Sequence, residues 1–513
     1  MPLSSRWQIE IPPVTLPTYL FNSPAHSLSE KPAFINAADP SHFLTLSKFR
    51  LYSQRLAAGL IKNGLKPGDR VLLFSGNNLF FPVVLVGIIM AGGIFTGANP
   101  GFVERELVYQ LKDCGAKFLI CGRDGLGIGV KAAEEVGLGK ERVFSFDDEE
   151  VSGGREIKQG VKSWWKLLES EEVGKRFQWN EDVDPKETVC CLNYSSGTTG
   201  QPKGVMITHY NYVANAVQYR HLHELHADTE ERNRKAKWLC FLPLYHAMGQ
   251  TIFCTVAPKR GIPVYIMKKF DFKGMLEAVQ KYKITVLSMV PPVVVQGWGM
   301  TEATCSVVGC DPRLDPPPNT VGELNANCRA KIVNPETLEE VKQGERGEIW
   351  VQAPNIMKGY WNKPEATKET IVNSPEGRWL RTGDIAYVDS KNNFYIVDRM
   401  KELIKVKGNQ VAPAELEALL LEHPGIADAA VIGVTIGDGE VPRAYVVRSG
   451  DGNVTAEEVT RWVEERTTRY KWLKGGVVFL DAIPKNPSGK ILRKVLREKA
   501  KDEISRNEIK ARL

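Results

Sequence analysis

The sequence predicts an α/β protein with a large N-terminal domain and a small C-terminal one. The large domain is built on mainly parallel sheets with helices on both faces; the small one is α+β and mobile. Three observations lead there. Strand-like and helix-like segments alternate through the first half, the rhythm of parallel strands joined by crossover helices. At 513 residues the chain exceeds what one compact core accommodates. From residue 399 onward the segments become shorter and more charged. That change of texture places the boundary at 398/399, dividing the chain into 1–398 and 399–513.

The elements follow in order. RVLLFS (70–75) is a branched apolar run and reads as a strand. LFFPVVLVGIIMAGGIFT (79–96) approaches the length of a membrane span. Pro82 and Gly92-Gly93 interrupt it, so it reads as a buried helix followed by the start of a buried strand. ERELVYQLKD (104–113) is helical, AKFLIC (116–121) and VFSFD (143–147) are strands, and 147–155 is an acidic surface loop. The charged stretch 221–237 reads as solvated. In the C-terminal part, APAELEALLLEHPG is an amphipathic helix with Pro413 at its start and Gly425 beyond its end. DAAVIGV and VPRAYVV are paired strands, AEEVTRWVEERT is a charged helix, and ILRKVLREKAKDEI closes the chain as a basic helix.

Composition narrows the function classes. Apolar residues at 43% and charged residues at 25% mark a soluble globular protein. The net charge of +6, from 67 basic and 61 acidic residues, shows no concentrated basic stripe and speaks against nucleic-acid binding. The nine cysteines include no CxxC pair, as expected of reduced intracellular thiols. The opening MPLSSRWQIEIPP lacks a signal-peptide core, and no transmembrane segment is expected.

The most informative string is CLNYSSGTTGQPKGVMITHYN (191–211). A strand-like run enters a loop of hydroxyl and glycine residues. Ser195, Ser196, Thr198 and Thr199 offer hydroxyl donors, while Gly197 and Gly200 let backbone N–H groups turn toward anionic oxygens. Lys203 adds a positive charge at the rim. This composition suits a triphosphate cradle. It is not a Walker A loop, because the lysine stands three residues after Gly200 and is followed by Gly204.

With this string the chain resembles the adenylate-forming superfamily of acyl-CoA synthetases, 4-coumarate–CoA ligases, luciferases and peptide-synthetase adenylation domains. PLYHAMGQ (243–250), QGWGMTEA (296–303), VGELNANCRAKIV (321–333), GEIWVQAPNIMKGYWNKPEAT (347–367), WLRTGDIAYVD (379–389), IVDRMKELIKVKGNQVAPAELE (396–417) and PKNPSGKILRK (484–494) extend the resemblance in order along the chain. The wording is most similar to the 4-coumarate–CoA ligase-like branch.

The resemblance implies an ATP- and Mg²⁺-dependent acyl-CoA ligase with coenzyme A as co-substrate. An acyl-adenylate forms first, and the thiol then displaces AMP. It implies phosphate binding by Ser195 to Gly200, Lys203 and Thr301. Trp298, in a block that also contains Gln296 and Gly297, would lie against adenine. Glu302 would hold Mg²⁺, matching that ion's preference for oxygen ligands. Asp384 would accept the ribose hydroxyls, with Arg399 in support. Lys490 in PSGK would be the catalytic lysine of adenylation. Lys401 would be the hinge about which the small domain rotates between half-reactions. The rotated form would bring in Lys405, Lys407, Gly408 and Gln410 beside coenzyme A, and Lys269 would face its nucleotide end. His246 would gate the tunnel to the thioester site, and Met248 and Ile252 would line the acyl pocket. The acid would be aromatic or medium-to-long aliphatic.

Two other patterns carry less. GLGIGVKA (125–132) matches a G-x-G-x-x-A dinucleotide pattern after a strand, but the four residues GRDG intervene and the motif alone is weak. HLHELH (221–226) lacks further metal ligands at customary spacing and reads as a solvated helix face.

One place departs from the family pattern. ITVLSMVPPVVVQGWGMTE joins two blocks that the family keeps roughly 40–50 residues apart, room for a helix, a strand and a helix. Consecutive parallel strands need about a dozen residues or more between them. Here only Pro291-Pro292 separates the strand 284–289 from VVVQ (293–296). The break at 292–293 implies a faulty gene model or splice form of an active ligase, or else a shortened, impaired relative. An enzyme that loads a carrier-protein thiol is a further alternative. Finally, Ala511-Arg512-Leu513 is a variant of the S-K-L address, implying a peroxisomal import receptor as partner and the peroxisome as location.

Overall fold

The computed structural model describes residues 2–23, 26–148, 160–195, 201–288, 297–400, 402–406, 409–436, 439–450, 454–467, 469–485 and 491–512. Side chains are described for the same residues apart from 405, 409, 410 and 505–512. Packing divides the chain into two compact units. One comprises Pro2–Ala330 and Val351–Leu380; the other comprises Lys331–Trp350 and Arg381–Leu513. The second unit therefore begins ahead of residue 399 and includes a segment from before the 398/399 division.

The larger unit contains an eight-stranded sheet in the order Gly359–Tyr360, Lys203–Thr208, Val189–Ser195, Ile94–Ala98, Arg70–Phe74, Phe118–Gly122, Val143–Phe146, Lys162–Ser163. From Val189–Ser195 to Lys162–Ser163 every neighbouring pair is parallel. The alternation read from the sequence thus appears as a parallel sheet. The apolar stretch at 79–96 becomes the buried helix Phe81–Met90 and the buried strand Ile94–Ala98. No described helix is long and apolar enough to cross a membrane. The glycine fingerprint at 125–132 starts at the end of the short turn Arg123–Gly125 and continues on the helix Leu126–Glu135.

A five-stranded sheet follows the order Val286–Leu287, Trp238–Cys240, Val264–Ile266, Pro32–Asn36, Phe43–Thr45. Val286–Leu287 is its terminal strand among the described residues, pairing in parallel with Trp238–Cys240. The VVVQ segment and the break at 292–293 lie outside the described residues.

One expectation needs correction: the stretch 221–237 is not simply a solvated face. His221 packs edge-on against Trp7 at 5.6 Å, and His223 lies 4.7 Å from Tyr219 and 6.1 Å from Trp238. Aromatic neighbours draw these imidazoles inward, and Trp7 comes from far along the chain. No cluster of three potential metal ligands occurs among the described residues.

In the smaller unit, Ile426–Ile436 and Gly439–Arg448 form the expected antiparallel pair, with Val477–Phe479 added in parallel. The helices Pro413–Leu421 and Ala456–Glu464 contribute Leu416, Leu420, Val459 and Val463 to its core. None of the nine cysteines is joined in a disulfide.

Candidate functional site

The string 191–211 contributes the two arms of a hairpin. Val189–Ser195 and Lys203–Thr208 pair antiparallel, with Ser195 opposite Lys203 and Tyr194 opposite Gly204. Cys190, Cys191 and Leu192 anchor the first strand in the core. The turn residues Ser196, Gly197, Thr198, Thr199 and Gly200 lie outside the described residues. A Cβ on Gly204 would meet the Tyr194 ring at 3.2 Å, so the glycine leaves room for that ring across the stem.

Lys203 does not stand alone. Its Nζ lies 4.9 Å from the centroid of the Tyr360 ring, and the Tyr360 hydroxyl donates to Glu302 Oε1 at 2.9 Å. The strand Gly359–Tyr360 pairs antiparallel with Lys203–Thr208, which brings Tyr360 beside the hairpin stem. Glu302 sits in the single helical turn Thr301–Ala303 and is buried. Its carbonyl accepts the Met357 N–H at 2.8 Å, and Asn355 Nδ2 donates to the Ala303 carbonyl at 2.7 Å. The Thr301-Glu302 turn is therefore fixed from the 355–360 segment. Tyr360 is the participant that sequence reading passed over, although it lies inside the quoted block GYWNKPEAT. Its tie to Glu302 spans 58 positions, beyond any local spacing rule.

Trp298 is nearly buried, and its N–H donates to the Val308 carbonyl at 3.0 Å. Its neighbour Gly299 must be glycine, because a Cβ there would meet the Cys305 carbonyl oxygen at 1.7 Å. Gly297 adjoins the same segment, while Gln296 lies outside the described residues.

His246 precedes a short helix that passes into a π-helical stretch, Gln250–Val256. Such single-turn widenings often accompany functional sites. Burial pushes the His246 imidazole down to about 4, so it is neutral near pH 7, and its ring packs 4.5 Å from Tyr245. Gln250 is fully buried; it accepts from the Tyr212 hydroxyl and donates to the Tyr245 carbonyl at 3.2 Å. Ile252 is buried and Met248 half-buried. Lys269 is exposed, three residues beyond the strand Val264–Ile266.

In the smaller unit, Asp384 and Arg399 face each other across an antiparallel pair and form an ion pair at 2.6 Å. Asp384 is only 2% exposed. The preceding residues are pinned, with Thr382 donating to the Ile349 carbonyl at 2.7 Å and the Gly383 N–H donating to Glu348 Oε1 at 3.0 Å. The structure thus brings together two residues expected to hold the ribose. Lys401 lies outside the described residues. Lys405 and Gln410 are opposite each other where Ile404–Val406 pairs antiparallel with Asn409–Val411. Lys407 and Gly408, and the side chains of Lys405 and Gln410, are outside the described residues. So is Lys490, although its flanks pair, with Lys485 bridging to Ile491.

Two family signatures match the chain: AMP-binding enzyme over residues 21–295 and 292–361, and AMP-binding enzyme C-terminal domain over residues 415–490. The chain belongs to the AMP-binding enzyme family. It is 34% identical to a phenylacetyl-CoA ligase of Aspergillus niger, over 97% of this chain and 98% of the relative. It is 36% identical to a 4-coumarate–CoA ligase of Petroselinum crispum, over 94% of each. Among solved structures it is similar to an ATP-bound MatB from Rhodopseudomonas palustris, with a TM-score of 0.80 at 25% identity, covering 95% of this chain and 99% of that one. An o-succinylbenzoate CoA synthetase from Bacillus subtilis in complex with its acyl-adenylate aligns with a TM-score of 0.74, also at 25% identity, over 95% and 99% of the two chains. These relatives place the chain on the 4-coumarate–CoA ligase-like branch as an ATP-dependent acyl-CoA ligase, and the carrier-loading alternative is not favoured. The AMP-binding match is in two pieces that meet at 292–295, where the sequence showed its break. The alignment to the Aspergillus relative runs to 549 positions, more than this chain's 513 residues.

Proposed function

We propose that this ligase activates an aryl-substituted carboxylic acid and that the protein works in the peroxisome. The observation carrying the site assignment is the grouping of Lys203, Tyr360 and Glu302 at the stem of the hydroxyl- and glycine-rich hairpin. It sets a cation and a carboxylate, joined through one aromatic ring, beside the expected phosphate cradle. The aryl preference rests on the phenylacetyl- and 4-coumarate–CoA ligase relatives.

In the reaction, a carboxylate oxygen attacks the α-phosphorus of ATP and pyrophosphate leaves. The coenzyme A thiolate then attacks the acyl carbon and AMP leaves. Positioning and charge neutralisation supply most of the rate in such transfers. Lys203 and the hairpin turn bind phosphate oxygens, and Thr301 adds a hydroxyl. Glu302 fits Mg²⁺ by donor chemistry, as an oxygen ligand oriented by Tyr360. Magnesium is commonly held by one or two carboxylates plus substrate phosphates, and it supplies charge neutralisation on the leaving pyrophosphate. Asp384 accepts the ribose hydroxyls while Arg399 holds its carboxylate in place. His246, kept neutral by burial, borders the acyl site with Met248 and Ile252. Lys490 serves adenylation. The 405–410 hairpin and Lys269 serve coenzyme A, with 399–513 acting as a lid that turns about Lys401.

The test is a panel of aryl and aliphatic acids, run on this chain and on a version with the missing segment restored after Pro292. Acid-dependent pyrophosphate release, followed by AMP release on adding coenzyme A, is expected to be greatest with aryl acids. Pyrophosphate release with aliphatic acids alone would overturn the substrate class. Silence of both versions would overturn the site assignment. For location, fusing the last residues to a fluorescent reporter is expected to give punctate peroxisomal signal; a diffuse signal refutes it.

A further inference from the structure

Behind the phosphate hairpin lies a polar cluster that the reaction as described does not use. Asp113 stands near the end of the helix Glu104–Cys114, with Tyr109 four residues earlier on the same face. The Asp113 carboxylate is 10% exposed and takes a different partner on each oxygen. Oδ2 accepts the Tyr194 hydroxyl at 2.7 Å, and Oδ1 accepts Lys363 Nζ at 2.6 Å. The Tyr109 hydroxyl donates to the Pro202 carbonyl at 2.8 Å.

Each partner belongs to a different piece of the site. Tyr194 immediately precedes Ser195, where the hairpin turn begins. Pro202 immediately precedes Lys203, where the turn returns to the strand. Lys363 lies three residues beyond Tyr360, whose hydroxyl holds Glu302. One helix face therefore grips the entry to the turn, its exit, and the segment that orients the carboxylate expected to carry the cation. A largely enclosed carboxylate with a hydrogen bond to each oxygen is a rigid anchor.

We propose that Asp113, with Tyr109, is a positioning residue for ATP: it fixes the spacing between the phosphate hairpin and the Tyr360–Glu302 pair. This rests on the reading of the hairpin as the phosphate cradle. Asp113 acts through Tyr194 and Lys363 rather than by touching nucleotide.

The experiment measures Mg·ATP affinity by calorimetry and both half-reactions separately, in wild type, Asp113→Asn, Tyr109→Phe and Asp311→Asn. Asp311 is a control carboxylate of the same unit, paired with Arg6 and Arg313. Asp113→Asn is expected to weaken Mg·ATP binding and raise the KM for ATP by about tenfold, the scale of one lost charge-assisted hydrogen bond. Thioester formation from supplied acyl-adenylate should stay within about twofold of wild type. Tyr109→Phe is expected to show the same pattern at about threefold. Asp311→Asn should lower the melting temperature without changing ATP affinity. The inference is overturned if Asp113→Asn and Tyr109→Phe bind Mg·ATP as wild type does. It is also overturned if both half-reactions fall in step with the melting temperature. Should Asp113→Asn not fold, Tyr109→Phe alone decides. Failure of wild type to bind Mg·ATP would instead remove the phosphate-cradle reading, and the inference with it.

Discussion

Replacing Tyr360 by phenylalanine isolates one contact of the site. The ring remains, so the packing of Lys203 at 4.9 Å is preserved. Only the hydroxyl that donates to Glu302 Oε1 at 2.9 Å is lost. Both residues are buried, so water does not readily replace the donor. A hydrogen bond to a charged group contributes about 1.5–3 kcal/mol, and each 1.36 kcal/mol is about a factor of ten in rate. If the bond orients the carboxylate for the cation, kcat/KM for ATP falls by about 10–150-fold, and the half-saturating Mg²⁺ concentration rises with it. The assay is acid-dependent ATP–pyrophosphate exchange across a magnesium titration. A second arm places Tyr360→Phe in a Glu302→Gln background, where the added loss should largely vanish because the two residues act as one unit. An exchange rate within about threefold of wild type, with unchanged magnesium dependence, would refute the assignment of Glu302 as an oriented ligand.

Two further outcomes follow from buried charge. Burial lowers His209, His223 and His246 to about 4, from an ordinary value of 6.5. The unfolded chain takes up these protons as pH drops below 6.5 and the folded chain does so only near 4. Stability therefore falls across that window by up to about 3 kcal/mol per histidine; a urea midpoint independent of pH between 7 and 5 would contradict it. Arg493 donates to both oxygens of Glu417 at 2.8 Å, while burial pushes Glu417 up to about 7. Arg493→Met should cost about 3–5 kcal/mol of the smaller unit's stability. The loss should be larger at pH 8 than at pH 5, because the unpaired carboxyl resists ionising; equal losses at the two pH values would contradict this.

Much of the fold was legible because periodicity and punctuation are local. Pro82 and Gly92-Gly93 divided one apolar run into the helix and strand that the structure contains. The facing pair Asp384 and Arg399 was named from family blocks, and it meets because both residues lie on adjoining strands of one antiparallel pair. The Asp113–Lys363 pair joins residues 250 positions apart, and the Tyr360–Glu302 bond likewise depends on strand order rather than spacing. The histidines at 221 and 223 read as solvated because their immediate neighbours are charged; Trp7, which packs on His221, comes from the far end of the sequence, and Trp238 reaches His223 from the strand that follows the stretch.

The hairpin's register has a consequence for engineering. Ser195 through Cys191 pair one-to-one with Lys203 through Ile207. Side chains on a strand change faces at every step, so adding one residue after Lys203 would turn the following residues through the sheet. Length changes confined to the tip leave that parity untouched. Libraries that alter the residues around this hairpin should therefore conserve the odd–even count of the stem.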